Sequence, residues 1–214
     1  MRKLISYYFL LLISICTFSY IKVNSYSYSL KGKTIYLDPG HGGVDNGTSY
    51  KDILEDELNL EICYELKSKL ENRGAIVYMT RYDDYDLSNN DVSFRKKSDL
   101  YNRAKIINDS NSDMYISIHL NYIDSSKWSG VQVFYDDINS NNEIIAKNIQ
   151  DKYNNGRKSM KINNGYMYRL ITIPGVLVEL GFLSNTKDRE ILLNDRKRSN
   201  MIDKLVDGII EYYK

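Results

Sequence analysis

The sequence predicts an α/β layered domain built on a mostly parallel sheet. Strand and helix patterns alternate from Thr34 to the C-terminus, which is the signature of strands joined by helical crossovers. The run Val176–Leu180 offers no polar face apart from one glutamate, as in a strand buried on both sides. The 214 residues hold no repeat and no low-complexity linker, so a single domain follows a short leader.

The leader comes first. Arg2 and Lys3 precede the apolar run Tyr7–Cys16, a basic start and an apolar core that is short for a membrane span. Residues 1–26 therefore read as an export signal. An N-terminal membrane anchor is the alternative, because no small-x-small cleavage site follows. Ile15 is too bulky for a lipidation signal at Cys16. The rest of the chain holds only Cys63, so an intrachain disulfide is excluded there, and the helical pattern around Cys63 assigns it to the core.

From there Thr34–Leu37 reads as a strand and Leu54–Leu70 as a helix whose apolar residues recur at helical spacing. Ala75–Met79 is the next strand, Leu100–Asn108 a helix, and Met114–Ile118 a strand that ends at His119. Val131–Tyr135 is a strand, Glu143–Tyr153 a helix, Val176–Leu180 a buried strand, and Asp188–Tyr213 one or two closing helices. Tyr82–Lys97 and Gly156–Tyr168 are polar, irregular and long enough to be functional loops. Lys and Arg total 29 against 28 Asp and Glu, a net charge of +1, so no nucleic acid or anionic membrane is expected as the main partner.

The chain has two histidines, and both fall at strand ends: His41 in "IYLDPGHGG" and His119 after "MYISI". Ligands gather at the carboxyl ends of strands in open parallel sheets, so the pair suggests a shared site rather than two surface accidents. A catalytic zinc commonly takes three protein ligands and leaves one position for water. No H-E-x-x-H is present. In "LEDELNLE", at about 100° per residue, Glu55 falls on the apolar face defined by Leu54, Leu58, Ile62, Leu66 and Leu70, whereas Asp56, Glu57 and Glu61 point away. An inward carboxylate at a helix start is either a cap or a cation ligand. Glu179, inside the buried strand, needs an ion, a catalytic role or a salt bridge to Arg81 or Arg103.

The segments "IYLDPGHGG", "EDELNL", "YISIHLN" and "PGVLVELGFLSN", in this order, resemble the zinc-dependent N-acetylmuramoyl-L-alanine amidases of bacterial cell walls over residues 33–214. The resemblance implies a twisted, mainly parallel six-stranded sheet flanked by helices. It also implies a zinc ion held by His41, Glu55 and His119, with Glu179 as the catalytic acid/base. "RKKSDLYNRAKIIND" and "SIHLNYIDSSKWSGVQVFY" further resemble the germination-specific amidases of spore formers. Those act on peptidoglycan glycan strands bearing stem peptides in the spore cortex, together with a muramic acid deacetylase that completes muramic-δ-lactam. The resemblance leaves room for an accessory protein and implies action outside the cytoplasm.

Around these four residues the sequence offers supporting candidates. Asp38 reads as a turn residue or as a group orienting His41, and Arg81 as a brace for the loop after it. Asn121 is either a turn residue or a donor to a substrate carbonyl. Trp128 is either packing or a sugar platform. Tyr166-Met167-Tyr168 departs from the family's Y-L-L-like segment in what would be the substrate-facing wall. Two rivals remain at this point, a zinc carboxypeptidase acting on wall peptides and a non-catalytic peptidoglycan-binding module.

Overall fold

The apolar runs fold into a sheet whose two faces collect different cores. In the computed structural model, which describes residues 28–89, 93–163 and 165–214, the elements follow in this order. They are β1 (Thr34–Pro39), β2 (Ser49–Tyr50), β3 (Ile53–Leu54), α1 (Glu55–Glu71), β4 (Ile76–Met79), α2 (Arg95–Asp109) and β5 (Met114–Asn121). After these come β6 (Gln132–Tyr135), α3 (Asn142–Tyr153), β7 (Met160–Lys161), β8 (Gly175–Phe182), α4 (Thr186–Leu193) and α5 (Asp195–Tyr212). The leader and its Cys16 lie outside the described residues.

The main sheet has six strands in the order β4-β1-β5-β8-β6-β7. β4, β1, β5 and β8 run parallel, while β6 pairs antiparallel with β8 and β7 follows β6. The mainly parallel six-stranded sheet is therefore present, with one antiparallel seam. Strand alternation divides its residues. Ile35 and Leu37 of β1 join Leu58, Ile62, Leu66 and Leu70 of α1 in the larger core, which also takes in α3 and α5. Tyr36 turns to the other face and packs on Ala104, Ile107, Tyr115, Met167 and Ile171, beneath α2. Cys63 is fully buried in the larger core, as its helical position requires. Each such large apolar side chain contributes about 1.5–3 kcal/mol by leaving water.

Asparagines mark three helix ends. Asn154, in the left-handed region at φ 47°, stops α3. Asn185 and Asn194 accept backbone hydrogen bonds at the starts of α4 and α5. Among the expected elements, α2 and β5 run beyond their predicted ends. α2 begins at Arg95 rather than Leu100, because its first turn is polar and has no side-chain cap to mark it. β5 continues through His119 to Asn121, with a register shift against β8 between those two residues. No helix among the described residues is long and apolar enough to cross a membrane.

Candidate metal centre

The bare loop after β1 is bare because other side chains need its space. Gly40 continues the sheet by donating its N–H to Ile118 O at 2.9 Å, and the His119 ring lies directly on it. A Cβ at Gly40 would stand 2.3 Å from His119 Cε1, so no side chain fits. The chain then turns through His41 at φ 61°, a left-handed conformation rare for a residue with a Cβ. Two buried arginines hold that turn from below. Arg81 donates to Pro39 O at 3.1 Å, Gly40 O at 3.0 Å and Asp56 O at 2.7 Å. Arg103 donates to Pro39 O at 2.7 Å and to His41 O.

The turn brings together the three residues expected to share a site. Ligand atoms of His41, Glu55 and His119 all lie within 4.8 Å of one another. Glu55 Oε1 is 3.3 Å from His41 Nε2 and 3.1 Å from His119 Nδ1. The rings meet edge to face with centroids 4.9 Å apart. Glu55 is no cap for its own helix: it accepts from Thr48 N at 2.8 Å and Leu120 N at 3.0 Å, both outside α1. Burial alone would raise the Glu55 pKa, but hydrogen bonds and charge from His119 and His41 outweigh it and keep the carboxylate ionised. Burial would likewise lower His41, and Glu55 with Asp45 outweighs it, so the imidazole is shifted up. Two imidazoles thus converge on one buried anion, where a divalent cation fits. Two histidines, one carboxylate and an open direction form a zinc donor set, whereas hard cations need six or more oxygens.

Glu179 on β8 is in register with His119 on the neighbouring β5 and with Gln132 on β6. Its Oε2 is buried and has no hydrogen-bond partner among the described residues. Burial, reinforced by the charge of Glu55 and only partly offset by His119 and His41, pushes its pKa up to about 7. The salt-bridge alternative fails, since Arg81 binds backbone carbonyls and Arg103 pairs with Asp38 at 2.8 Å and Asp99 at 2.9 Å.

Other expectations need correction. Asp38 does not touch the His41 ring. It accepts from Thr80 Oγ1 and Ser117 Oγ, both at 2.7 Å, and from Arg103, so it acts on His41 only through the arginine that holds the His41 carbonyl. The residue at the His41 ring is Asp45, whose Oδ2 is 3.2 Å from Nδ1. Asp56 is buried at 2 % exposure although it points away from the helix's apolar face, and its N–H donates to Asn46 O of the preceding loop at 3.3 Å. Arg81 does brace the following loop, through Asp83 O at 3.1 Å, as well as the preceding one. Trp128 is 52 % exposed with Arg157 over its ring. Gly47 was not singled out by sequence. At φ 68° its Cβ would meet Glu55 Oε2 at 2.5 Å, so it too makes room for the ligands.

Against known proteins, the family model described as N-acetylmuramoyl-L-alanine amidase matches residues 35–211. The germination-specific N-acetylmuramoyl-L-alanine amidase of Bacillus subtilis is 41% identical over 196 residues, 88% of this chain and 83% of that protein. The probable cell wall amidase LytH of Staphylococcus epidermidis is 35% identical over 86% of this chain, which spans 60% of that protein's length. The structure of the CwlD amidase from Clostridioides difficile, in complex with the GerS lipoprotein, superposes with a TM-score of 0.79 at 34% identity, covering 85% of this chain and 98% of that one.

Proposed function

The chain belongs to the N-acetylmuramoyl-L-alanine amidase family, and from that premise we propose that His41, Glu55 and His119 hold a zinc ion beside Glu179 as the acid/base. The bond cleaved joins the lactyl group of N-acetylmuramic acid to L-alanine in peptidoglycan. Bound zinc supplies an acidified water and Lewis acidity at the scissile carbonyl. Glu179 Oε2 takes the proton of the attacking water and delivers it to the departing alanine nitrogen. The observation that carries this reading is the buried, unpartnered Oε2 beside the two-histidine, one-carboxylate cluster. Burial raises the Glu179 pKa, the direction that suits a group which must return the proton it accepts. His119 packs against Gly40 and His41 is held by Asp45, contacts that orient the two rings.

The finer reading places this activity in the spore cortex, as the step before a muramic acid deacetylase forms muramic-δ-lactam. The similarity to the Bacillus subtilis protein supports it. The leader of residues 1–26 would carry the domain out of the cytoplasm or anchor it there, and a lipoprotein accessory is supported by the CwlD complex. Mass spectrometry of muropeptides after incubation with the zinc-loaded chain tests the chemistry. An amidase frees the lactyl carboxyl and an L-alanine amine. A carboxypeptidase would leave that amide intact and shorten the other end of the peptide. Cortex with normal lactam after gene deletion would remove the spore assignment and leave the chemistry standing.

A further inference from the structure

Beside the metal centre a wider cavity of about 580 Å³ opens between the start of α2 and Tyr166. It shares Lys96 and Leu100 with the small cavity that contains His41 and His119, so the two adjoin. Its walls combine exposed rings and cations. Phe94 is 76% exposed and Tyr166 42% exposed, and both rings line the cleft. Three successive cations line the same wall, and two of them are already neutralised. Arg95 grips both oxygens of Asp86 at 2.7 and 3.1 Å, and Lys96 lies 3.2 Å from Asp45. Lys97 makes no ion pair among the described residues. Its ammonium rests 5.3 Å from the centre of the Tyr166 ring, facing the cleft.

The cleft is thus a groove of rings and cations in which Lys97 alone pairs with no acid among the described residues, and it starts one side chain away from the Asp45–His41 contact. A substrate cleaved at the metal centre must lead its peptide out along some surface, advancing about 3.3–3.6 Å per residue. We propose that this cleft is the peptide subsite and that Lys97 selects stem peptides whose residue next to L-alanine bears a free carboxylate. Phe94 and Tyr166 cover the aliphatic part of that residue, and Lys97 moves from the Tyr166 ring to the carboxylate. The assignment rests on the amidase reading above and adds a specificity to it.

The test uses the full-length, zinc-loaded chain and two synthetic substrates, N-acetylmuramoyl-L-alanyl-γ-D-glutamyl-L-lysine, whose glutamyl α-carboxylate is free, and its counterpart amidated at that one carboxyl. The wild type is expected to show a KM about fivefold lower for the acidic substrate, the scale of one exposed ion pair. Lys97→Met should bring the ratio of the two KM values to about one, with zinc content and melting temperature as in the wild type, and Lys97→Arg should keep the preference. A wild-type ratio of one, or a preference that survives Lys97→Met, overturns the subsite. Failure of the zinc-loaded wild type to cleave either substrate overturns the amidase reading itself.

Discussion

Two charged clusters adjoin the loop after β1, and they differ in how fully they are bonded. Below it, Asp38 accepts from Thr80, Ser117 and Arg103, while Arg103 also grips Asp99 and two loop carbonyls. Above it, one carboxylate oxygen of Glu55 faces both histidines, Glu179 Oε2 has no partner among the described residues, and His41 sits at φ 61°. A closed network fixes geometry, and unused polar capacity beside it marks where a ligand belongs. On that ground the lower cluster reads as scaffold, and the upper one is the proposed metal site.

If that division is right, damage above should remove function without unfolding the chain, and damage below should do the reverse. The largest expected effect is His119→Ala. Elemental analysis should find zinc at background and hydrolysis should vanish with it, and stoichiometric zinc in that variant would break the ligand assignment. Next comes Glu179→Gln, expected to keep zinc and melt normally while turnover falls by about 10²–10⁴-fold. Lower zinc occupancy would make Glu179 a ligand, and near-normal turnover would leave it without a role.

Below the loop, Asp38→Asn should cost about 3 kcal/mol, the low end for breaking a buried pair. Thermal melting near pH 7 reads this as a drop of several degrees. The sign of its pH dependence follows from the Asp38 pKa. Burial would raise it, yet Arg103, Thr80 and Ser117 outweigh burial and hold it below the ordinary 3.8. The ionised network therefore contributes its stability above that value and loses it as pH falls through the folded pKa. Wild type and variant should converge in acid, and a constant gap would show that charge at Asp38 is not what matters. The smallest effect is expected at Glu57, which is exposed at the start of α1. Glu57→Ala should keep its zinc and its melting temperature within roughly 0.5 kcal/mol of stability. Loss of metal there would overturn the helix-face argument for Glu55.

The upper cluster was the more legible of the two in the sequence. His41, Glu55, His119 and Glu179 stood out because each is a rare or charged residue at a strand end or on an apolar face, and periodicity alone marks those places. Their supports were not legible. Asp45 reaches the His41 ring through a turn set by a left-handed histidine, and nothing in the spacing between the two reveals that backbone. Arg81 and Arg103 were visible as charges, but which acid each would meet depends on strand order, and strand order places Asp38 rather than Glu179 beside Arg103. The two-residue strands β2 and β3 are too short to carry any period.

Cys63 has a use that has nothing to do with catalysis. It is one of two cysteines in the chain and lies fully buried in the larger core, where burial pushes its thiol pKa well above 9.0. A labelling reagent needs the exposed thiolate, so it reacts there only when α1 has come away from the sheet. The domain carries its own unfolding gauge: with fast labelling, the rate of Cys63 modification reports how often its main core opens. Zinc binding or an accessory protein that steadies the fold should slow that rate even where no activity assay is at hand.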